Sequence, residues 1–202
     1  NTMWMRFDTS SEYIAGGTSN IDNVFVLNGR IYFGVAVGGN GLHYADFVED
    51  FGGYYDTSFF RVKGNVSQRN TTISDTQQLV WGVIVNNVVN DVHAAVVGGR
   101  TYVAVATDAG VSIINETDET VIDYDVNSAD NILDVWLTNE GTLYYTIETA
   151  QQLNVFADIH LDTGDQTASD DIADIVYDES GTNVGGSGAA KSAIFTEAQP
   201  LH

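Results

Sequence analysis

At 202 residues and 21.8 kDa the chain is long enough to bury a substantial core, and with no Cys it holds neither disulfides nor thiolate metal sites. Its 28 acidic residues against 7 basic ones give a formal charge of -21. That balance argues against nucleic acid as a partner, because a phosphate backbone needs a positive surface to release its counterions. No stretch approaches the roughly 20 apolar residues of a membrane helix, so no membrane insertion is expected. The start at Asn1 rather than Met reads as a processed product or an excerpt of something longer.

Helical periodicity is nearly absent. The apolar runs are short, rich in Val, Ile, Tyr and Phe, and bounded by Gly, Asn, Asp and Thr, which predicts strands and turns. The first unit is VFVLNGRIYFGVAV before GLHY, with Asn28-Gly29 as a hairpin signal. An aromatic, Gly-rich stretch from Phe47 to Tyr55 follows, then a strand at Ser58 to Val62, a polar excursion from Gly64 to Asp75, and an apolar run from Leu79 to Val85.

The pattern then returns as HAAVVGGRTYVAVATDAG before VSII, and again as LDVWLTNEGTLYYTIETAQQ before LNVF. These two units align without a gap at an offset of 42, pairing Tyr102 with Tyr144, Val111 with Leu153 and Ile113 with Val155. Each continues into a fourth short run, Thr120 to Tyr124 and Phe156 to Ile159. Tyr32 lies 70 residues before Tyr102, so the register is lost between Asp46 and Val85. Ile172 to Tyr177 reads as the first strand of a further unit, Gly181 to Ala190 as a flexible loop, and Ala193 to Phe195 as a last strand.

A period of roughly 40 with this content is the signature of a propeller blade. The expected fold is all-β, made of antiparallel propeller-like repeats of three or four short strands in an incomplete or oligomer-completed ring, with a β-sandwich as the alternative. Residues 1–50 are read as an N-terminal β-unit and 51–90 as an irregular β-unit or junction. Residues 91–177 hold two regular blade-like repeats and the start of a third, and 178–202 a Gly-rich loop and C-terminal strand or arm.

Charge is uneven along the chain. From residue 101 onward there are 19 acidic residues and one basic residue, Lys191, a net of -18, against -3 for residues 1–100. Such a surface stays soluble in salt and is screened by it, which fits a marine or halophilic setting. Asp123, Asp125, Asn127 and Asp130 are a calcium candidate, since oxygen ligands at alternating turn positions suit a hard cation. Ser128 stands where an EF-hand requires Gly, so weak screening by cations is expected and no other cofactor. Asp162, Asp165, Asp170, Asp171 and Asp174 form a second oxygen-rich stretch with the same ambiguity.

His43, His93, His160 and His202 have no metal-ligand spacing, and no G-x-S-x-G elbow, P-loop or dinucleotide fingerprint is present. Among the aromatics, Trp81 and Trp136 sit in apolar runs and read as packing residues. Tyr54 and Tyr55, beside Gly52-Gly53, are the expected exposed contacts for a glycan or a partner.

Three segments, Gly64 to Asn70, Asn90 to Val92 and Thr101 to Ile114, resemble parts of large virion or tail-associated proteins of marine tailed phages. In those proteins an IAVATDGGVSVI-type strand pair recurs in propeller-like or lectin-like β-domains. The resemblance covers residues 45–125 and is looser to about 160; its motifs carry no chemistry, so no site residue follows from it. It implies a non-enzymatic structural component of an extracellular particle, on the virion surface or tail, with other virion proteins or copies of itself as partners. The alternatives are a carbohydrate-binding or host-attachment β-module, and a secreted propeller glycoside hydrolase using two of the many carboxylates.

Overall fold

A computed structural model describes residues 21–35, 41–58, 60–62, 77–79, 82–124, 130–166 and 173–178. These residues form an all-β fold of three antiparallel sheets, each a run of consecutive neighbouring strands. The first sheet holds six strands: β1 (Ile21–Leu27), β2 (Arg30–Val35), β3 (Gly41–Asp46), β4 (Phe51–Tyr55), β5 (Phe60–Val62) and β6 (Gln77–Leu79). The second holds β7 (Val89–Val97), β8 (Arg100–Thr107), β9 (Gly110–Asn115) and β10 (Thr120–Tyr124). The third holds β11 (Ile132–Leu137), β12 (Leu143–Ile147), β13 (Gln152–Phe156) and β14 (Ile175–Asp178).

Turn chemistry sets the hairpins. Asn28 and Gly29 both have positive φ, 50° and 80°, and join Leu27 to Arg30 in a two-residue turn whose twist matches the flanking strands. Gly98 and Gly99 repeat this between Val97 and Arg100, at 57° and 81°. The third sheet replaces this tight turn with a five-residue loop, in which the Thr138 N–H donates to the Thr142 carbonyl.

Two differences from the sequence reading concern strand assignment. The run Phe156 to Ile159 does not form a fourth strand, because Asp158 takes a left-handed conformation and a short 3-10 turn spans Ile159–Leu161. Its place beside β13 is filled by Ile175–Asp178, which the sequence reads as the opening of a further unit. In the first sheet, Leu42 to Asp46 of β3 pair with Tyr55 to Phe51 of β4.

The second sheet is covered on both faces. Val92, Ala94, Val103 and Val105 pack with Tyr32, Leu42, Tyr44 and Tyr55 of the first sheet. Ala95, Tyr102, Ala104 and Ala106 pack with Val135, Leu137, Leu143 and Tyr145 of the third. This double burial explains why β8 reads as an almost unbroken apolar run: alternate side chains enter two different cores. The first strands of the sheets, β1, β7 and β11, lie side by side, β7 between the other two.

Candidate functional site

A cleft of about 290 Å³ runs along these three first strands. β1 contributes Asn23 and Phe25, β7 contributes Asp91 and His93, and β11 contributes Asp134 and Trp136. Strand alternation decides which way they point. Val92 and Ala94 enter the core with the first sheet, so Asp91 and His93 face the third. Val135 and Leu137 enter the core with the second sheet, so Asp134 and Trp136 face away from it. Phe25 faces forward in the same sense, packing against the core of the second sheet while Val24 and Val26 point the other way.

The aromatic rings meet in a row. Phe25 and His93 lie 4.2 Å apart between centroids, and His93 and Trp136 lie 4.0 Å apart. His93 Nδ1 accepts the Leu137 N–H at 3.3 Å, and burial lowers its pKa to about 4, so the ring is neutral at pH 7. Asp91 uses both oxygens on backbone: Oδ1 accepts the Val92 N–H and Oδ2 accepts the Val135 N–H of the next sheet at 2.9 Å. Burial pushes Asp91 up to about 6 against the pull of those two bonds, and the nearby Asp134 charge adds to the rise. Beside it, the Asn90 amide donates to Asp108, to Asn131 and to the Ile132 carbonyl, tying β7 to the start of β11.

The same face of β11 is different. Asp134 Oδ2 and Trp136 Nε1 are buried and have no hydrogen-bond partner among the described residues, and neither has Thr146 Oγ1 on the adjoining strand. Burial raises the Asp134 pKa. Asp91 thus holds the strand that follows it, whereas Asp134 Oδ2, in the corresponding Asp-Val-aromatic segment, has no such partner among the described residues.

Other predicted site residues lie elsewhere. Tyr54 and Tyr55 are not exposed: Tyr55 is 0 % accessible and Tyr54 8 %. Gly52 and Gly53 sit at the start of a strand whose two faces are both covered, so the neighbouring rings are drawn into packing. Tyr55 packs on Phe60 at 4.6 Å, and Tyr54 stacks at 4.9 Å on His43, its cross-strand partner. Of the calcium candidates, Asp125 and Asn127 lie outside the described residues. Asp123 accepts the Ser112 hydroxyl at 2.6 Å and Asp130 accepts the Thr149 hydroxyl at 3.2 Å. Among the described residues no three His, Asp or Glu side chains converge as a metal site would require.

In the second oxygen-rich stretch, Asp162 accepts the Tyr124 hydroxyl, Asp165 accepts the Asp123 N–H at 3.1 Å and Asp174 accepts the Ala157 N–H at 2.6 Å. Asp170 and Asp171 lie outside the described residues. Asp162 and Asp165 pin the loop after β13 along β10, and Asp174 ties the approach to β14 back to the end of β13.

The sequence reading missed the forward-facing residues of the first strands. A signal for them exists: Asn23-Val24-Phe25, Asp91-Val92-His93 and Asp134-Val135-Trp136 share one pattern. Alignment on turns and tyrosines hides it, because the distance from this segment to the end of its strand differs, at Leu27, Val97 and Leu137.

No family model matches the chain, and no curated protein matches its sequence. Among solved structures, the chain is similar to U3-55K at 7% identity and a TM-score of 0.37, covering 74% of this chain and 52% of that one. It is also similar to PorZ, a bacterial surface component of the type-IX secretion system of Porphyromonas gingivalis, at 12% identity and a TM-score of 0.36, over 69% of this chain and 21% of that one. The RRP9 WD40 repeats match at 8% identity and a TM-score of 0.36, over 71% and 49%. The chain therefore spans about half the length of two of these structures and about a fifth of the third.

Proposed function

We propose that this chain is a non-enzymatic structural component of an extracellular particle, built from propeller-type blades that form part of a ring. The observation that carries the reading is the repeated linkage between first strands. The forward face of β1 packs on β7, and that of β7 on β11, with Asp91 and His93 each taking a backbone N–H of the following strand. Consecutive antiparallel meanders, here of six, four and four strands, joined through their first strands are what supports this reading, since a propeller repeats such sheets around a common line.

The chemistry of the cleft supports an architectural role. Asp91 spends both oxygens on backbone N–H groups and His93 spends Nδ1 on another, so these groups position strands. The acidic surface keeps such a component dispersed in saline surroundings. Virion or tail proteins, or further copies of the chain, are the partners this reading implies.

Purification of the chain from its source tests the reading. The expected result is fixed stoichiometry with a particle. A free single chain that turns over a glycoside, and loses turnover when Asp91 and Asp134 are both changed to Asn, would overturn it.

A further inference from the structure

We infer that the cleft along the three first strands binds a small organic ammonium ion, held by aromatic faces and by the charge of Asp134. Such binding goes beyond the structural-module reading and does not depend on it.

The walls of the cleft are of two kinds. Phe25 on β1, Trp136 on β11 and Tyr144 on β12 supply rings, with His93 packed between Phe25 and Trp136 at 4.2 and 4.0 Å. Phe25, Trp136 and Tyr144 are each half-buried, so part of each side chain stays open. Asp91 and Asp134 supply charge, and no Lys or Arg stands among the described residues that line the cleft. His93 adds no opposing charge, since its ring is neutral at pH 7.

The two carboxylates are not equivalent. Asp91 has both oxygens on backbone N–H groups. Asp134 is half-buried, and its Oδ2 is enclosed with no partner among the described residues. A ligand in the cleft therefore meets Asp134 through its charge, with no contact to Oδ2 required. Partial burial without a counter-ion makes that charge costly, and a cation close by offsets the cost. Arg30 and Arg100 are held elsewhere, Arg30 by Asp46 and Glu116 and Arg100 by Asp118.

The chemistry of the lining selects the class of ion. An anion meets only like charge here. A metal ion needs several converging ligands, and no group of three occurs among the described residues. An alkylated ammonium uses both kinds of wall. Its charge is drawn by the carboxylates and the ring faces, and its methyl groups cover rings and the Val and Leu side chains that complete the lining. A cleft of about 290 Å³ is at the small end for ligand sites, so the ion is small. The formal charge of -21 raises the local concentration of any cation, from which the cleft takes those with an apolar coat.

An NMR titration of the nitrogen-labelled 202-residue chain with choline chloride, followed through backbone and indole N–H shifts, tests the inference. Saturable shifts are expected at Phe25 and from Asp134 to Trp136, with a Kd of about 1 mM. The neutral isostere of choline, in which carbon replaces the ammonium nitrogen, should bind about tenfold more weakly. Raising NaCl from about 0.05 to about 0.5 M should weaken choline and leave the isostere nearly unchanged. Asp134→Asn keeps the shape and removes the charge, so choline should lose about tenfold while the isostere holds. This variant should fold as the parent does, because Asp134 Oδ2 has no partner to lose. Trp136→Leu should weaken both ligands. Glu140→Gln, at an exposed carboxylate in the loop before β12, should change neither by more than about twofold.

Absence of saturable shifts at about 50 mM choline overturns the inference, as does equal binding of the isostere. A loss in Glu140→Gln equal to that in Asp134→Asn also overturns it, since the pull would then belong to the whole acidic chain. Chains that bind choline in this way and never associate with a particle would sink the structural reading and leave the site intact.

Discussion

Between the first and second sheets lies a buried cluster of charge, whereas between the second and third the β7 carboxylate and imidazole bind backbone N–H groups. Arg30 sits at the first interface, with Nη2 2.7 Å from Asp46 Oδ2 and Nη1 2.6 Å from Glu116 Oε1, while the Tyr32 hydroxyl donates to Glu116 Oε2 at 2.7 Å. The guanidinium also lies 4.7 Å from the centroid of the Tyr44 ring. Burial works to lower the Arg30 pKa, but Glu116, Tyr32 and Asp46 outweigh it and hold the group charged. Burial pushes Glu116 upward against the pull of Arg30. At the second interface Asp91 and His93 accept backbone N–H groups across the same kind of apolar seam. One interface depends on which side chains are charged; the other depends mainly on where a strand lies. The second kind can recur in any following sheet, because every strand supplies N–H groups.

The sharpest way to break the comparison is to remove the cation. Arg30→Met leaves Asp46 and Glu116 facing one another in a buried site with no positive partner. Truncating one member of such a cluster costs about 3–5 kcal/mol. Chemical denaturation should show this loss, and a triple change that also makes Asp46 and Glu116 neutral should recover much of it. Loss of similar size in the triple variant would mean that packing of the Arg30 stem, not charge, holds the first interface.

At the second interface the corresponding change is Asp91→Ala. It strips acceptors from the Val92 and Val135 N–H groups, of which the second crosses between sheets. Unsatisfied buried donors cost about 1–3 kcal/mol, so the expected destabilisation is about 2 kcal/mol, below that of Arg30→Met. Faster amide exchange at Val135 than in the parent would locate the loss at the seam; unchanged exchange there would count against the linkage.

How much of this was legible in the sequence differs between the two interfaces. The strands and the Asn28-Gly29 and Gly98-Gly99 hairpins follow from local patterns, because turn geometry and alternation are short-range properties. The Arg30 cluster was not legible. Arg30 and Glu116 are 86 positions apart, and nothing local marks one acidic residue among 28 as its partner. Tyr54 and Tyr55 misled for a related reason: glycines beside aromatics read as an exposed turn, while Tyr55 is covered by strands of the second sheet and Tyr54 stacks on His43 of the adjoining strand. The first-strand pattern was present but concealed, since the eye is drawn to Gly-containing turns, and the third sheet substitutes a longer loop for its two-residue turn.

The comparison is sharpened by pH, because the second interface holds two groups whose linkages oppose each other. Asp91 titrates at about 6 in the folded chain against an ordinary 3.8, so its contribution is fully present below about pH 3.8 and is lost as pH rises through 6. His93 titrates at about 4 against 6.5, so its contribution is present above pH 6.5 and is lost as pH falls through 4. Between pH 4 and 6.5 the two slopes oppose, and each conceals the other. His93→Gln removes the rising contribution, so stability should fall more steeply with increasing pH than in the parent. Asp91→Asn removes the falling one and should tilt the curve the other way. Each tilt should amount to about 1–2 kcal/mol across the window, discounted for partial exposure. Asp123, also pushed up to about 6 by burial, and Asp134, raised by burial, add the same sign as Asp91. Both are common to the parent and the His93 variant, so the difference between melting curves at matched pH isolates the histidine. Parallel curves for parent and both variants would show that the seam does not feel the charge of either group, leaving its hydrogen bonds and its apolar packing to hold the third sheet in place.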